Sequence, residues 1–236
     1  MTTPAAPLRG ICSMATHGLL DELAAAYSRR TGVPVSFLAV GGVDAARRVA
    51  DGELFDVVAL ASDAIDKLIA AGRLDAAHKV DIVRSEVGVA VHADAEPPDI
   101  ATEDAVRRAV QAAARVACST GPSGVALRAL FERWGIANEI SGRLVQAPPG
   151  VPVGALVARG EATLGFQQMS ELIGLDGIRL LGPLPQQIQI VTTFSAAPGV
   201  GTPQPAAVHA LLDFMASDDS AEAKRRHGMA PASLRL

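Results

Sequence analysis

Aromatic side chains are scarce in this chain. They make up 3% of its 236 residues, with one tryptophan, Trp134, and one tyrosine, Tyr27. Surfaces that bind nucleic acid by stacking bases need more of them, which argues against nucleic acid as a partner. Charge of one sign is missing too: the formal net charge of −4 exerts no long-range pull on nucleic acid or anionic lipid. No apolar run approaches the ~18–20 residues needed to span a bilayer, so direct membrane insertion is not expected. Cysteine is limited to Cys12 and Cys118, without a Cys-x-x-Cys or other metal-ligand spacing. Both fall at predicted strand ends and read as small buried hydrophobes; no histidine at a suggestive spacing marks either as a nucleophile. There is no Gly-x-Ser-x-Gly elbow, P-loop or Gly-x-Gly-x-x-Gly fingerprint, so Ser-His-Asp hydrolysis and nucleotide-cofactor chemistry lack their motifs. The opening MTTPAAPLRG shows no charged segment followed by an apolar one. The expected location is therefore periplasmic if an export signal has been removed, and cytoplasmic otherwise.

What the chain does have is a globular balance, 49% hydrophobic and 19% charged, long enough for two lobes of about a hundred residues each. Strand candidates Leu8–Cys12, Pro34–Val40 and Phe55–Ala61 alternate with helical runs, and Gly32, Gly52 and Gly72 sit where helices stop. That alternation predicts a parallel, doubly wound sheet. Two β-branched runs, Val87–Val91 and Ile188–Phe194, bracket a middle segment with strands and helices of its own. A chain that leaves one α/β lobe, builds a second and returns has this pattern. The expected lobes are residues 1–86 with 196–236, and residues 87–195, joined by the two bracketing runs as hinge strands. Arg47-Arg48 and Lys224-Arg225-Arg226 read as solvated helix faces, and no residues remain for a helix-turn-helix module.

The most informative stretch is RVACSTGPSGVALRALF, Arg115–Phe131. Val116–Cys118 reads as a buried strand, Ser119–Gly124 as a loop of small residues, and Val125, Leu127, Leu130 and Phe131 as the apolar face of a helix. Backbone N–H groups at such a helix start, with hydroxyls from Ser119, Thr120 and Ser123, form a cradle for an anion. The first strand ends similarly, in Ser13-Met14-Ala15-Thr16. In an open α/β sheet the ligand sits beyond the carboxyl ends of the strands. The turns expected there are Ser13–Thr16, Gly41-Gly42, Ala61-Ser62, Ser119–Gly124 and Gln167-Gln168.

Val40–Leu74 (VGGVDAARRVADGELFDVVALASDAIDKLIAAGRL), Ser119–Ile136, Val153–Leu172 and the returning Phe194–Ala197 together resemble the molybdate-type periplasmic substrate-binding proteins. The resemblance covers essentially the whole chain. It implies the two-lobed type II binding-protein fold, α/β, each lobe a mainly parallel sheet flanked by helices. It also implies a small anion held by neutral hydroxyl and N–H donors, no cofactor, a monomer, and an ABC-transporter membrane component as partner. Carried over by position, the ligand contacts are Ser13, Met14, Gly41, Gly42, Ser62, Ser119, Thr120, Ser123, Gly124, Gln167 and Gln168. Molybdate binders place serine, serine and tyrosine where this chain has Ala15, the Gly41-Gly42 pair and Gln168. The element Gly165-Phe166-Gln167-Gln168-Met169-Ser170-Glu171-Leu172 is more similar to relatives that bind small carboxylic acids, including an aconitate-isomerase-like branch. A glutamine pair, which both donates and accepts, suits a carboxylate better than a tetrahedral oxyanion.

Two functions follow. One is capture of a small oxyanion or carboxylate for a transporter. The other is an isomerase moving a proton on a small tricarboxylate, which needs a base within reach of a C–H bond. Candidate bases are His17, at the start of the first helix, and Glu171, just after the glutamines. Each reads first as an ordinary helix-start residue.

Overall fold

The computed structural model describes residues 6–148 and 150–232. The first five and last four residues of the expected first lobe, and residue 149 of the second, lie outside them. The chain divides into two compact units. Unit 1 is Met1–Arg84 with Thr193–Leu236, and unit 2 is Ser85–Thr192. The divisions fall at 84/85 and 192/193, against the expected 86/87 and 195/196.

In chain order, unit 1 opens with β1 (Leu8–Ser13), α1 (His17–Thr31), β2 (Val35–Val40), α2 (Gly42–Ala50), β3 (Val57–Ala61) and α3 (Ser62–Ala70). β4 (Val80–His92) carries the chain out of unit 1. Unit 2 then adds α4 (Glu103–Ala112), β5 (Val116–Cys118), α5 (Pro122–Arg133), α6 (Ala137–Ile140), β6 (Leu144–Gln146) and α7 (Val153–Ala158). It continues through β7 (Leu164–Gln168), α8 (Met169–Leu172) and β8 (Ile178–Pro183). β9 (Val191–Pro198) returns the chain to unit 1, which α9 (Pro205–Ala216), α10 (Ala221–Arg226) and β10 (Met229–Pro231) complete.

In unit 1, β1 lies between β2 and β3, parallel to both, with Ile11 opposite Leu38 and Val58. β9 runs antiparallel to β3, pairing Val57 with Pro198 and Ala61 with Phe194. The sheet is thus parallel where helices cross over and antiparallel where the returning strand closes it. The period of two along β3 distributes its side chains between two cores. Val57, Ala59 and Ala61 join the cluster built with α1 and α9, whereas Val58 and Leu60 join the one built with α2 and α3. All five residues are buried, which explains a Val/Ala run without polar alternation. α1 stops at Gly32, whose φ of 75° is left-handed and whose N–H reaches back to the Ser28 carbonyl.

Unit 2 repeats the plan. β5 is parallel to β6 and β7, while β4 runs antiparallel to β7 on one side and to β8 on the other. Val116 and Cys118 face α4 and α5 through Val106, Val110, Leu127 and Phe131; Ala117 faces α7 through Val153, Leu156 and Val157.

Three expectations change. β4 extends back to Val80, well ahead of the expected Val87, because four of the seven residues Val80–Glu86 are polar and the segment escapes notice as an apolar run. α5 begins at Pro122, so Ser123 and Gly124 belong to its first turn and not to the preceding loop; proline, with φ preset and no N–H to lose, suits that first position. Finally, Lys224 does not lie on a solvated face. It is fully buried in α10, among the described residues its Nζ has no hydrogen-bond partner, and desolvation lowers its pKa to about 8. Its neighbour Arg226 is exposed and pairs with Glu22 and Glu222.

Candidate functional site

The carboxyl ends of the parallel strands carry nearly all the residues singled out from the sequence. Each unit presents its own set.

In unit 1, β1 ends at Ser13, a buried residue whose hydroxyl lies 3.3 Å from that of Thr16; Thr16 Oγ1 also donates to the Ser13 carbonyl at 3.2 Å. These bonds close the single 3-10 turn Met14–Thr16 and start α1 at His17. His17 Nδ1 is shielded from solvent and lies 3.3 Å from Asp21 Oδ2, out of line for a hydrogen bond. α2 starts at Gly42 with no side-chain cap on its first turn. A Cβ at Gly42 would meet nothing nearer than the Ser13 Cβ at 3.5 Å, so a side chain would fit there and its absence leaves the N–H uncovered. Ser62 opens α3, and its hydroxyl accepts from Lys79 Nζ at 2.8 Å; the same ammonium pairs with Asp66 at 2.7 Å. Lys79 escapes sequence analysis because it comes from another part of the chain and nothing in its own surroundings marks it.

Cys12 is buried directly before this turn. Desolvation, reinforced by Asp21, pushes its thiol up to about 12, and burial raises the Cys118 thiol as well. Both stay protonated at neutral pH, which rules out the thiolate a nucleophile needs.

In unit 2, Cys118 is in register with Gln146 of β6 and Phe166 of β7, so the loops after β5 and β7 emerge side by side. Ser119 and Ser123 face each other, Oγ to Oγ, at 3.2 Å, Ser123 being buried and Thr120 exposed. Val125 N–H bonds back to the Gly121 carbonyl, whereas the N–H groups of Ser123 and Gly124 precede the first intrahelical partner. No acidic side chain occupies this first turn and no side chain caps it. At Gly124 a Cβ would run into the Ser119 carbonyl, so only glycine lets the helix start close over the loop. The result is a set of N–H and O–H dipoles aimed outward at a helix start, which favours negative charge without bringing a cation to it.

The two glutamines, expected as ligand contacts, also bond within unit 2. Gln167 is buried, and its Oε1 accepts from the N–H groups of Val153 at 2.8 Å and Gly154 at 3.4 Å, capping α7. Its Nε2 donates to Glu171 Oε1 at 2.7 Å. Gln168 is buried too. In the amide orientation that satisfies its neighbours, Nε2 donates to Ser85 Oγ at 2.8 Å and Oε1 accepts from Thr192 Oγ1 at 2.8 Å. Both amides therefore hold strands and a helix together within unit 2. Glu171, half-buried in α8, is the group that Gln167 holds: desolvation raises its carboxyl to about 7 against the smaller opposing effect of the Gln167 amide.

Comparison with known proteins agrees with this architecture. The chain is 38% identical over 234 residues to an aconitate isomerase from Pseudomonas sp., covering 97% of this chain and 89% of that one. A periplasmic molybdate-binding protein from Azotobacter vinelandii superimposes with a TM-score of 0.78 at 18% identity, covering 94% and 98% of the two chains. The sulfate-binding protein SubI from Mycobacterium tuberculosis gives 0.77 at 16% identity, covering 97% and 88%. These structural likenesses establish the type II periplasmic binding-protein fold. No helix among the described residues is long and apolar enough to cross a membrane. The family described as bacterial extracellular solute-binding protein matches residues 8–230, and the chain belongs to it.

Proposed function

We propose that the protein binds a small polycarboxylate of the aconitate kind and isomerises it by moving a proton between carbons. The observation that carries the binding is the uncapped start of α5, where the N–H groups of Ser123 and Gly124 and the hydroxyls of Ser119 and Ser123 converge with no competing carboxylate in the turn. Thr120 stands beside them, and unit 1, taken by itself, carries hydroxyl and N–H groups at Ser13, Met14, Gly41, Gly42 and Ser62. Fixed N–H and O–H donors favour a deprotonated anion. The choice of a polycarboxylate over a metal oxyanion is supported by the 38% identical aconitate isomerase.

A second function, capture of the anion for delivery to an ABC-transporter membrane component outside the cytoplasm, is favoured by the family's own description. One panel separates the two. Purified protein is heated with molybdate, tungstate, sulfate and phosphate, and with cis-aconitate, trans-aconitate, citrate and isocitrate. A ligand at a hundred times its Kd adds about 2.7 kcal/mol, a readily measured shift. Incubation of each stabilising ligand is then followed by NMR for its isomer. The proposal expects stabilisation by the aconitates and conversion of one into the other. Stabilisation without conversion favours capture, and stabilisation by oxyanions alone overturns the polycarboxylate assignment.

A further inference from the structure

Glu171 occupies a place that the binding of an anion does not explain. A carboxyl group beside a cradle for negative charge opposes binding whenever it is ionised, yet unit 2 fixes this one in position. The register Cys118 to Phe166 sets the loop after β5 beside the end of β7, and α8 begins immediately after Gln168. Glu171 therefore stands at the same edge of the sheet as Ser119 and Ser123. Its position is dictated through Gln167. The Gln167 amide has no freedom to rotate, because Oε1 must face the two N–H groups that start α7; Nε2 must then face Glu171. One carboxyl oxygen, Oε1, is thus fixed by a neutral donor, and Oε2 is outside that bond.

Among the described residues no cation pairs with the Glu171 carboxyl, whose shift has only burial and the Gln167 amide behind it. α8 packs against α7, β7 and β8, and through Met169 and Leu172 against Gly88 of β4, whose titratable residues are Asp81, Arg84, Glu86 and His92. α7 and β7 carry no titratable side chain, and β8 carries only Arg179, which is spent on the Ala93 carbonyl. Arg159 and Glu161, between α7 and β7, pair with each other. The forces on the Glu171 carboxyl are burial, which disfavours its charge, and the Gln167 N–H, which favours it. A group balanced in this way exchanges a proton near neutral pH.

We propose that Glu171 is the catalytic carboxyl of the isomerisation, and that Gln167 is the positioning residue that aims it; this rests on the isomerase function proposed above. In the ionised state, Glu171 removes a proton from a substrate carbon next to the double bond. The C–H bond breaks, an O–H bond forms on Glu171, and the electron pair spreads through the double bond into a substrate carboxylate. That developing charge is what the α5 donors stabilise. Return of the same proton to the other end of the delocalised system restores the ionised Glu171 and leaves the double bond moved. Atoms and electrons balance without an oxidant, a reductant or a cofactor.

The test uses the full chain with cis- and trans-aconitate. Glu171→Gln is expected to keep the aconitate-induced thermal shift, and to gain affinity above pH 7 where the native carboxyl is charged, while turnover falls by ~10²–10⁴-fold. Gln167→Met removes the amide that favours the charged carboxyl. Its expected signature is a pH–kcat profile whose acidic limb moves upward from near 7, which a loss of fold stability alone would not produce. Wild-type turnover with an equally active, folded Glu171→Gln variant overturns the assignment of Glu171 and leaves the isomerase function standing. Absence of wild-type turnover alongside a clear thermal shift overturns both.

Discussion

Replacing Lys224 with methionine should stabilise the protein, and by an amount the structure allows to be worked out. Lys224 is fully buried, its Nζ has no hydrogen-bond partner among the described residues, and desolvation lowers its pKa from the ordinary 10.5 to about 8 against the opposing pull of Asp218. Below pH 8 the ammonium is charged in both folded and unfolded chains, so the folded state carries the full cost of burying it. Between pH 8 and 10.5 the folded chain loses the proton while the unfolded chain keeps it, so stability rises with pH; above 10.5 the cost is gone. At ~1.4 kcal/mol per unit, the depression is worth about 3 kcal/mol. Methionine keeps the length and flexibility of the side chain without its charge. At pH 7, Lys224→Met should raise the Tm by on the order of 6–12 °C, with the difference from wild type shrinking toward zero by pH 10.5. The difference is the quantity to follow, because Cys12 acts in the opposite direction. Its thiol, pushed up to about 12, keeps a proton that the unfolded chain loses from about pH 9, which lowers the stability of both proteins equally. Urea unfolding at half-unit pH steps measures it. A variant less stable at pH 7, with a difference independent of pH, would refute the argument by revealing a partner for Nζ.

The other predictions concern the site and the core. Gly124→Ala should abolish the thermal shift given by a bound anion and cost about 1–3 kcal/mol, since its Cβ forces the Ser119 carbonyl and the start of α5 apart; calorimetry on the empty and ligand-saturated protein measures both. The double change Ser119→Ala with Ser123→Ala should abolish anion binding while leaving the melting temperature of the empty protein little altered, and normal binding would place the cradle elsewhere. Phe131→Ala should cost ~3–5 kcal/mol in equilibrium unfolding, because Phe131 is fully buried between Trp134 and Phe166. Glu103→Gln removes the charge that accepts from Trp134 Nε1 at 2.6 Å and from Arg133 at 2.9 Å. The fluorescence of this single tryptophan should change on substitution, and in wild type it should titrate below the usual carboxylate range.

The fold was largely legible because its signals are local. Helix stops at Gly32 and Gly72, the buried run Val57–Ala61, and the strand–loop–helix around Ser119 are each recorded within a few neighbouring residues. What escaped is decided by residues distant in sequence. Lys224 stands in a basic tripeptide that reads as surface, and only the packing of α10 against α1 and β10 shows it buried. The Lys79 bond to Ser62 spans 17 residues, and no periodicity predicts it. The glutamine pair is the most instructive case. Spacing put Gln167 and Gln168 correctly at a strand end, but spacing carries no information about where an amide points. The α7 N–H groups and the Ser85–Thr192 pair take up polar atoms that sequence analysis assigned to a ligand.

That reassignment changes the argument about ligand chemistry. If the glutamine amides contacted the anion, a carboxylate would be favoured by their ability to accept as well as donate. With those amides committed internally, the α5 donors alone discriminate weakly, because N–H and O–H dipoles suit sulfate, molybdate and carboxylate alike. In the isomerase function proposed above, the discriminating group is Glu171. A fully ionised oxyanion has no C–H proton to give up: it is repelled while Glu171 is charged and gains at most one hydrogen bond while it is protonated. A polycarboxylate with an acidic C–H bond has a use for such a group, and in its protonated state the carboxyl can donate to a substrate carboxylate. Gln167, capping α7 with one end and fixing Glu171 with the other, turns a helix start into the support for that carboxyl. The same element that most resembles the carboxylate branch in sequence thus favours that branch for a reason different from the one its residue types first implied.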